Sequence, residues 1–214
     1  MTIATREIFI ENSLLILTNQ RVAFLPSEKA LLLSDLHIGK TAHFRKHGIA
    51  LPKDIFRKDL QRLETVLKYF QAEKIFFVGD LLHAGNNSDV EDFCRWKSSF
   101  QSVEFHLVTG NHDRISADLE EQLCLTSHKK IIELENFQLI HEFSADSEKF
   151  QITGHIHPGI LIRNRVKRLR LPCFVKTDRQ LLLPAFSEFT GLDTKNTPKN
   201  GVFYAFTKDK FFEF

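Results

Sequence analysis

The chain has 214 residues, a formal net charge of +2, 43% hydrophobic and 26% charged residues, the balance of an ordinary globular protein of one domain spanning 1–214. No apolar run approaches the ~20 residues needed to cross a bilayer, so no membrane role is expected, and the charge excess is too small to imply nucleic-acid binding by itself. The start, with Arg6 and Glu7, lacks a basic segment followed by an apolar block, which makes a cytoplasmic location the default.

In chain order, short strands are expected at 7–10, 14–17 and 22–25, followed by a buried strand at 30–33 that runs into Ser34-Asp35. From 52 to 71 the apolar positions Ile55, Phe56, Leu60, Leu63, Val66, Leu67 and Phe70 recur at helical spacing, with Pro52 as the start. A strand at 74–78 closes on Gly79-Asp80, and Ser88 with Glu91 reads as a capping box opening a second helix. A strand at 103–108 leads to Gly110-Asn111, and a short helix is expected from near Ser116. Strands then follow at 131–134, 137–140, 149–153 and 160–163, with several more towards Phe214. Strand–helix units followed by consecutive strands predict an α/β protein of two stacked sheets with helices outside. Cys94, Cys124 and Cys173 are far apart and form no C-x-x-C pair, so they fit a reducing compartment and are expected as small buried hydrophobes.

The polar residues at strand ends carry the chemistry. Asp35-x-His37, Gly79-Asp80, Gly110-Asn111-His112-Asp113, His141 and Gly154-His155-Ile156-His157 each follow an expected strand, and in open α/β sheets that edge is where ligands bind. Asp35 and Asp80 offer anionic oxygen. Neutral imidazoles at His37, His141, His155 and His157 suit divalent transition metals, and Asn111 adds an uncharged carbonyl oxygen. His112, next to Asn111, is placed to give a proton to a leaving oxygen, with Asp113 expected as its orienting partner. His83, three residues past Asp80, reads either as a substrate contact or as a plain loop histidine. Lys40 and Arg45 read as substrate-side cations or as a solvated surface. Arg163, Arg165 and Lys167 are expected on one face of a strand, where they either contact flanking phosphates or guard a sheet edge by charge. His106 and Trp96 are expected to be structural.

These motifs, in this order, resemble the calcineurin-like metallophosphoesterase superfamily: D-x-H, G-D, G-N-H-[DE], a lone H and G-H-x-H are all present. The resemblance implies a four-layer α/β/β/α sandwich of two mixed sheets. It also implies a binuclear centre in which Asp35, His37 and His157 hold one ion, Asn111, His141 and His155 hold the other, and Asp80 bridges them. The segments 34–40 (S-D-L-H-I-G-K), Phe44-Arg45, Gly48, Gly79-Asp80-Leu81-Leu82-His83, Leu171-Pro172-Cys173-Phe174, Leu183-Pro184-Ala185-Phe186 and Phe189-Thr190-Gly191 resemble the DNA-ligase-associated metallophosphoesterases. That narrower likeness implies a phosphodiesterase acting on DNA in a repair setting, in functional association with a DNA ligase and a helicase. Mn is the expected metal, with Fe, Zn, Ni or Co as alternatives that such N/O ligands also accept. A small-molecule phosphatase or cyclic nucleotide phosphodiesterase using the same site, and a scaffold that binds metal without hydrolysis, are the competing readings.

Overall fold

Residues 2–52, 54–83, 87–113, 117–163 and 167–214 are described by the computed structural model. Three antiparallel strands, β1 (Thr5–Ile10), β2 (Ser13–Thr18) and β3 (Ala23–Leu25), lead into β4 (Ala30–Leu33), which runs antiparallel to β3. A helix absent from the sequence expectation, α1 (Lys40–Lys46), follows the first metal motif, and then α2 (Ile55–Phe70) crosses to β5 (Lys74–Val78). Next come α3 (Ser88–Lys97), β6 (Glu104–Val108), α4 (Ala117–Leu123) and β7 (Thr126–His128). The first sheet has the order β1-β2-β3-β4-β5-β6-β7, with β4 to β7 parallel.

The second half supplies β8 (Ile131–Glu133), β9 (Phe137–Ile140), β10 (Phe150–Thr153), β11 (Gly159–Arg163), β12 (Arg168–Lys176), β13 (Gln180–Leu182), β14 (Val202–Phe206) and β15 (Phe211–Glu213). They form a mixed sheet of order β15-β14-β12-β13-β10-β9-β8, with β11 paired to β12 as a projecting hairpin. The two sheets stack face to face. Ile8, Leu15, Leu32, Phe76 and Val78 of the first meet Phe137, Leu139, Ile152, Phe174 and Leu181 of the second in one apolar layer. On the other face of the first sheet, Leu31, Leu33, Ile75, Phe77 and Leu107 pack against α2, α3 and α4 through Phe56, Leu60, Leu63, Val90, Phe93, Leu119 and Leu123. Each such buried side chain stabilises the fold by about 1.5–3 kcal/mol.

Two mixed sheets with flanking helices are thus in place, as expected. Among the described residues every α-helix comes from 40–123, and the outer face of the second sheet is packed by Ile156, Ile160 and Ile162 against Cys173, Val175, Leu182 and Ala205.

Helix ends differ from the sequence reading. The α2 N-cap is Asp54, so Pro52 precedes the helix instead of opening it. In α3 the cap is Asn87, whose side chain accepts from the Asp89 amide at 2.9 Å. The expected Ser88–Glu91 capping box is therefore replaced by a single cap, since Val90 stands three residues after Asn87; a short side-chain acceptor fits the N-cap, and Asn87 supplies it. Ser116, where the α4 start was expected, lies outside the described residues. All three cysteines are free; Cys173 is buried as expected, Cys94 is half-buried, and Cys124 is exposed because α4 ends there.

Candidate metal centre and its surroundings

Parallel pairing of β4, β5 and β6 puts their carboxyl ends at one edge, so Asp35, Asp80 and Asn111 emerge together. The ladder continues past the strands: the Asp35 amide donates to the Gly79 carbonyl and the His37 amide to the Asp80 carbonyl, both at 3.1 Å. From the second sheet, parallel β9 and β10 deliver His141 and the His155–His157 loop to the same rim, and the Gly154 amide donates to the His141 carbonyl at 3.0 Å.

Two groups result. Asp35, His37 and His157 form one, Asp80, His141 and His155 the other, and within each the candidate ligand atoms lie within 4.8 Å of one another. His157 Nε2 is 3.0 Å from Asp35 Oδ1, and His37 Nε2 is 4.0 Å from it. The His155 amide donates to Asp35 Oδ2 at 3.3 Å, so one carboxylate organises both halves of the G-H-x-H motif. His141 Nε2 is 3.4 Å from Asp80 Oδ1, and its Nδ1 donates to the Val78 carbonyl at 3.0 Å. A carbonyl only accepts, so Nδ1 carries a proton and Nε2 is the nitrogen left facing the carboxylate.

The backbone here is held in uncommon conformations. Asp35, His37, Asp80, His155 and His157 all have positive φ, between 50° and 70°. For residues with a Cβ this region costs on the order of 1–2 kcal/mol each, and such outliers cluster at functional sites. Gly79, at φ 81°, is required sterically: a Cβ there would lie 2.0 Å from His141 Nδ1. At Gly110 a Cβ would come within 2.4 Å of Asp80 Oδ1.

Electrostatics fit a cation. Burial, then Lys40, lowers the His37 pKa to about 3, leaving a neutral imidazole. Both His37 ring nitrogens and His141 Nε2 are buried without a hydrogen-bond partner, an arrangement that costs free energy unless a ligand takes the lone pair. Burial alone would raise the Asp80 carboxyl, but the adjacent His141 imidazole and the His112 amide hold it well below the usual carboxylate range. Burial opposes protonation of His141 too, yet Asp80 and Asp35 raise it to about 9. The same anionic surroundings that favour a proton there favour a divalent cation in competition with it. The donor set of carboxylate oxygen and imidazole nitrogen, with orphaned buried nitrogens, fits two such ions.

Around the two groups, His112 is half-exposed, with its amide donating to Asp80 Oδ1 at 3.0 Å and its Nε2 4.0 Å from Asp80 Oδ2. Its ring lies 5.7 Å from that of His83 and 6.0 Å from that of His37. Asp113 is not the orienting partner of His112 that the sequence suggested. Its two oxygens accept from the Leu82 and Gly110 amides, each at 2.8 Å, so it ties the G-D loop to the G-N-H-D loop. Burial pushes its carboxyl up to about 6 despite those amides.

Asn111 lines a cavity of about 750 Å³ together with Gly110, His141, Lys129 and Lys130. The two lysines were missed in the sequence because nothing marks a lysine pair in the β7–β8 connection as facing a metal rim. Lys40 lies by the first group, its Nζ 3.3 Å from Thr190 Oγ1, and burial lowers its pKa against the pull of Asp35 and Asp80. Arg45 instead reaches Asp89 and the Pro52 carbonyl, both at 3.5 Å, linking α1 to α3. Its expected substrate-side position is corrected accordingly.

The single basic strand face is corrected as well. β11 ends at Arg163 and β12 starts at Arg168, so Lys167 belongs to the hairpin connection and Arg165 lies outside the described residues. Register pairs Arg163 with Arg168 and Leu161 with Arg170. Directly opposed residues share a face, which groups Arg163, Arg168 and Arg170 on one exposed side. His106 stacks on Phe76 and Trp96 packs among Phe93, Phe100 and Phe105, both structural as expected.

Two stacked sheets that converge on paired Asp/His groups define a metal-dependent phosphoesterase. The chain belongs to the calcineurin-like phosphoesterases, whose family model matches residues 29–166. Among solved structures it is similar to the Pseudomonas putida nuclease MPE, with 30% identity, coverage of 94% of this chain and 96% of that chain, and a TM-score of 0.82. A protein of unknown function from Aquifex aeolicus is 20% identical over 64% of this chain and 81% of that chain, at a TM-score of 0.43. Comparison with curated proteins gives no match.

Proposed function

We propose that this phosphoesterase hydrolyses phosphodiester bonds in DNA, using two Mn ions and acting in DNA repair within the cytoplasm. In this reading Asp35, His37 and His157 hold one ion, while Asn111, His141 and His155 hold the other, with Asp80 shared between them. When bound, such a cation pair supplies a water acidic enough to deprotonate near neutral pH and neutralises charge on the phosphoryl oxygens. His112 presents its imidazole at the edge of the centre and gives a proton to the leaving oxygen. Lys40 offsets negative charge on the reacting phosphoryl group, and His83, beside His112, contacts the substrate. Arg163, Arg168 and Arg170, with Lys167, receive phosphates along the strand on either side of the scissile bond.

The observation that carries this reading is the pairing of two Asp/His groups with a half-exposed His112 above Asp80. The likeness to a nuclease along nearly the whole chain supports a polymeric diester as substrate. The test is a panel of DNA, a chromogenic diester and a phosphomonoester at equal Mn loading. Turnover of DNA and of the diester above the monoester is the expected result. Turnover confined to small phosphates would replace this reading with a phosphatase or cyclic nucleotide phosphodiesterase.

A further inference from the structure

Arg62 is a charged residue on α2 with only 8% exposure, set among the apolar side chains that pack the helix on the first sheet. Its guanidinium lies 4.3 Å above the centre of the Phe186 ring and donates to Asp59 at 2.8 Å, to the Phe186 carbonyl, and to Glu188 at 2.8 Å. Arg21, at the β2–β3 turn with φ 65°, donates from Nη1 to the carbonyls of Ala185 (3.0 Å) and Ser187 (3.2 Å). Two arginines from separate elements therefore hold three consecutive carbonyls, 185 to 187.

That stretch runs between the tops of the two sheets. The Leu183 amide donates to the Thr153 carbonyl at 2.8 Å, the Phe186 amide to the Ser34 carbonyl at 2.8 Å, and the Ser187 amide to the Asp35 carbonyl at 3.3 Å. Asp35 is the residue whose backbone departs to the left-handed region, φ 57°, and whose carboxylate gathers His157 and the His155 amide. A left-handed aspartate persists only where its neighbours over-determine it, and the 185–187 strap is the neighbour on this side.

Burying two guanidiniums close together is unfavourable: burial and the charge of Arg62 lower the Arg21 pKa to about 10. Packing α2 onto the sheet needs only an apolar residue at position 62, so the charge has another use. A guanidinium suits a carbonyl-rich strap because its planar fork donates in fixed directions, whereas a lysine offers one point charge.

We propose that Arg62 and Arg21 are positioning residues that set the cation affinity of the Asp35–His37–His157 group through the 185–187 strap. The proposal rests on the two-ion reading of the centre. It separates the two groups in degree: loosening the strap disturbs Asp35 directly, while Asp80 and His141 keep supports of their own, the His112 amide and the Val78 carbonyl, and only His155, whose amide donates to Asp35 Oδ2, links the second group to the strap.

The experiment is a calorimetric Mn titration of the metal-free full-length chain, with thermal unfolding of the metal-free protein alongside. Wild-type protein taking up two ions establishes the underlying reading first. Arg62→Met should weaken one of the two binding steps by roughly 10-fold or more and the other by a much smaller factor, with Arg62→Lys restoring only part of the loss. Arg21→Gln, which leaves the Arg62–Asp59 pair intact, should weaken the same step by a smaller factor, and it decides the question if Arg62→Met fails to fold. Equal weakening of both steps, or unchanged binding in a folded Arg21→Gln protein, would overturn the positioning role while leaving the two-ion centre standing.

Discussion

Nε2 of His141 lies 3.4 Å from Oδ1 of Asp80, and the two residues follow strands of different sheets. The metal centre is therefore also a junction between the two halves of the sandwich. Any ligand that binds the native state alone raises its stability, by about 2.7 kcal/mol at a concentration 100-fold above Kd. For a chain of this size each kcal/mol moves Tm by roughly 2–4 °C. Saturating Mn should accordingly raise Tm by several degrees in a thermal scan. In Asp80→Ala most of that rise should vanish and diester turnover should fall by on the order of 10³-fold or more, since removing a shared carboxylate leaves both ions poorly held. Full activity in Asp80→Ala would show that the shared carboxylate is dispensable.

His112 contributes its ring from a half-exposed position while its backbone amide, not its side chain, makes the 3.0 Å bond to Asp80. His112→Ala keeps that amide, so metal content should stay near two ions per chain. Turnover should slow by roughly 10²-fold or more through loss of the proton donor. Elemental analysis together with steady-state rates checks both halves, and a loss of metal would reassign His112 as a ligand.

Gly79 is fixed by space. At φ 81° an added Cβ meets His141 Nδ1 at 2.0 Å, and the left-handed conformation adds about 1–2 kcal/mol of strain for alanine. Gly79→Ala should be destabilised by about 2–4 kcal/mol in denaturant unfolding. It should also bind fewer than two ions, because His141 must move away from Asp80. A fully loaded Gly79→Ala protein would mean that His141 is not where this geometry requires it.

On the β11–β12 hairpin, Arg163, Arg168 and Arg170 share one exposed face. Replacing all three by Ser should weaken single-stranded DNA binding and flatten its salt dependence, by up to about 0.7 in log–log slope for each phosphate no longer neutralised. Hydrolysis of a small chromogenic diester should be unaffected. Equal losses on both substrates would argue that the hairpin supports the fold and not the polymer.

Much of this was legible in the chain itself. Buried strands such as β4 and β5 announce themselves as unbroken apolar runs, and polar ligand types placed directly after them mark the rim. What the sequence could not carry was partnership across distance. Asp113 sits beside His112 in the chain, yet its oxygens face the Leu82 and Gly110 amides because the loop turns back on the G-D motif. The short α1 lacks an apolar period, so its docking to Asp89 through Thr41 and Arg45 is what reveals it. The hairpin register, not a two-residue count along one strand, decides which arginines share a face. The 185–187 strap likewise depends on carbonyls held by side chains more than 100 positions away.

Whether the centre works as a pair of ions is decided by the metal stoichiometry of purified protein equilibrated with Mn, read by elemental analysis alongside diester hydrolysis. Two ions per chain should be found, with hydrolysis abolished by chelation and recovered as the second ion returns. Undiminished hydrolysis in protein that holds no ion, or that saturates at one, would contradict the two-ion centre.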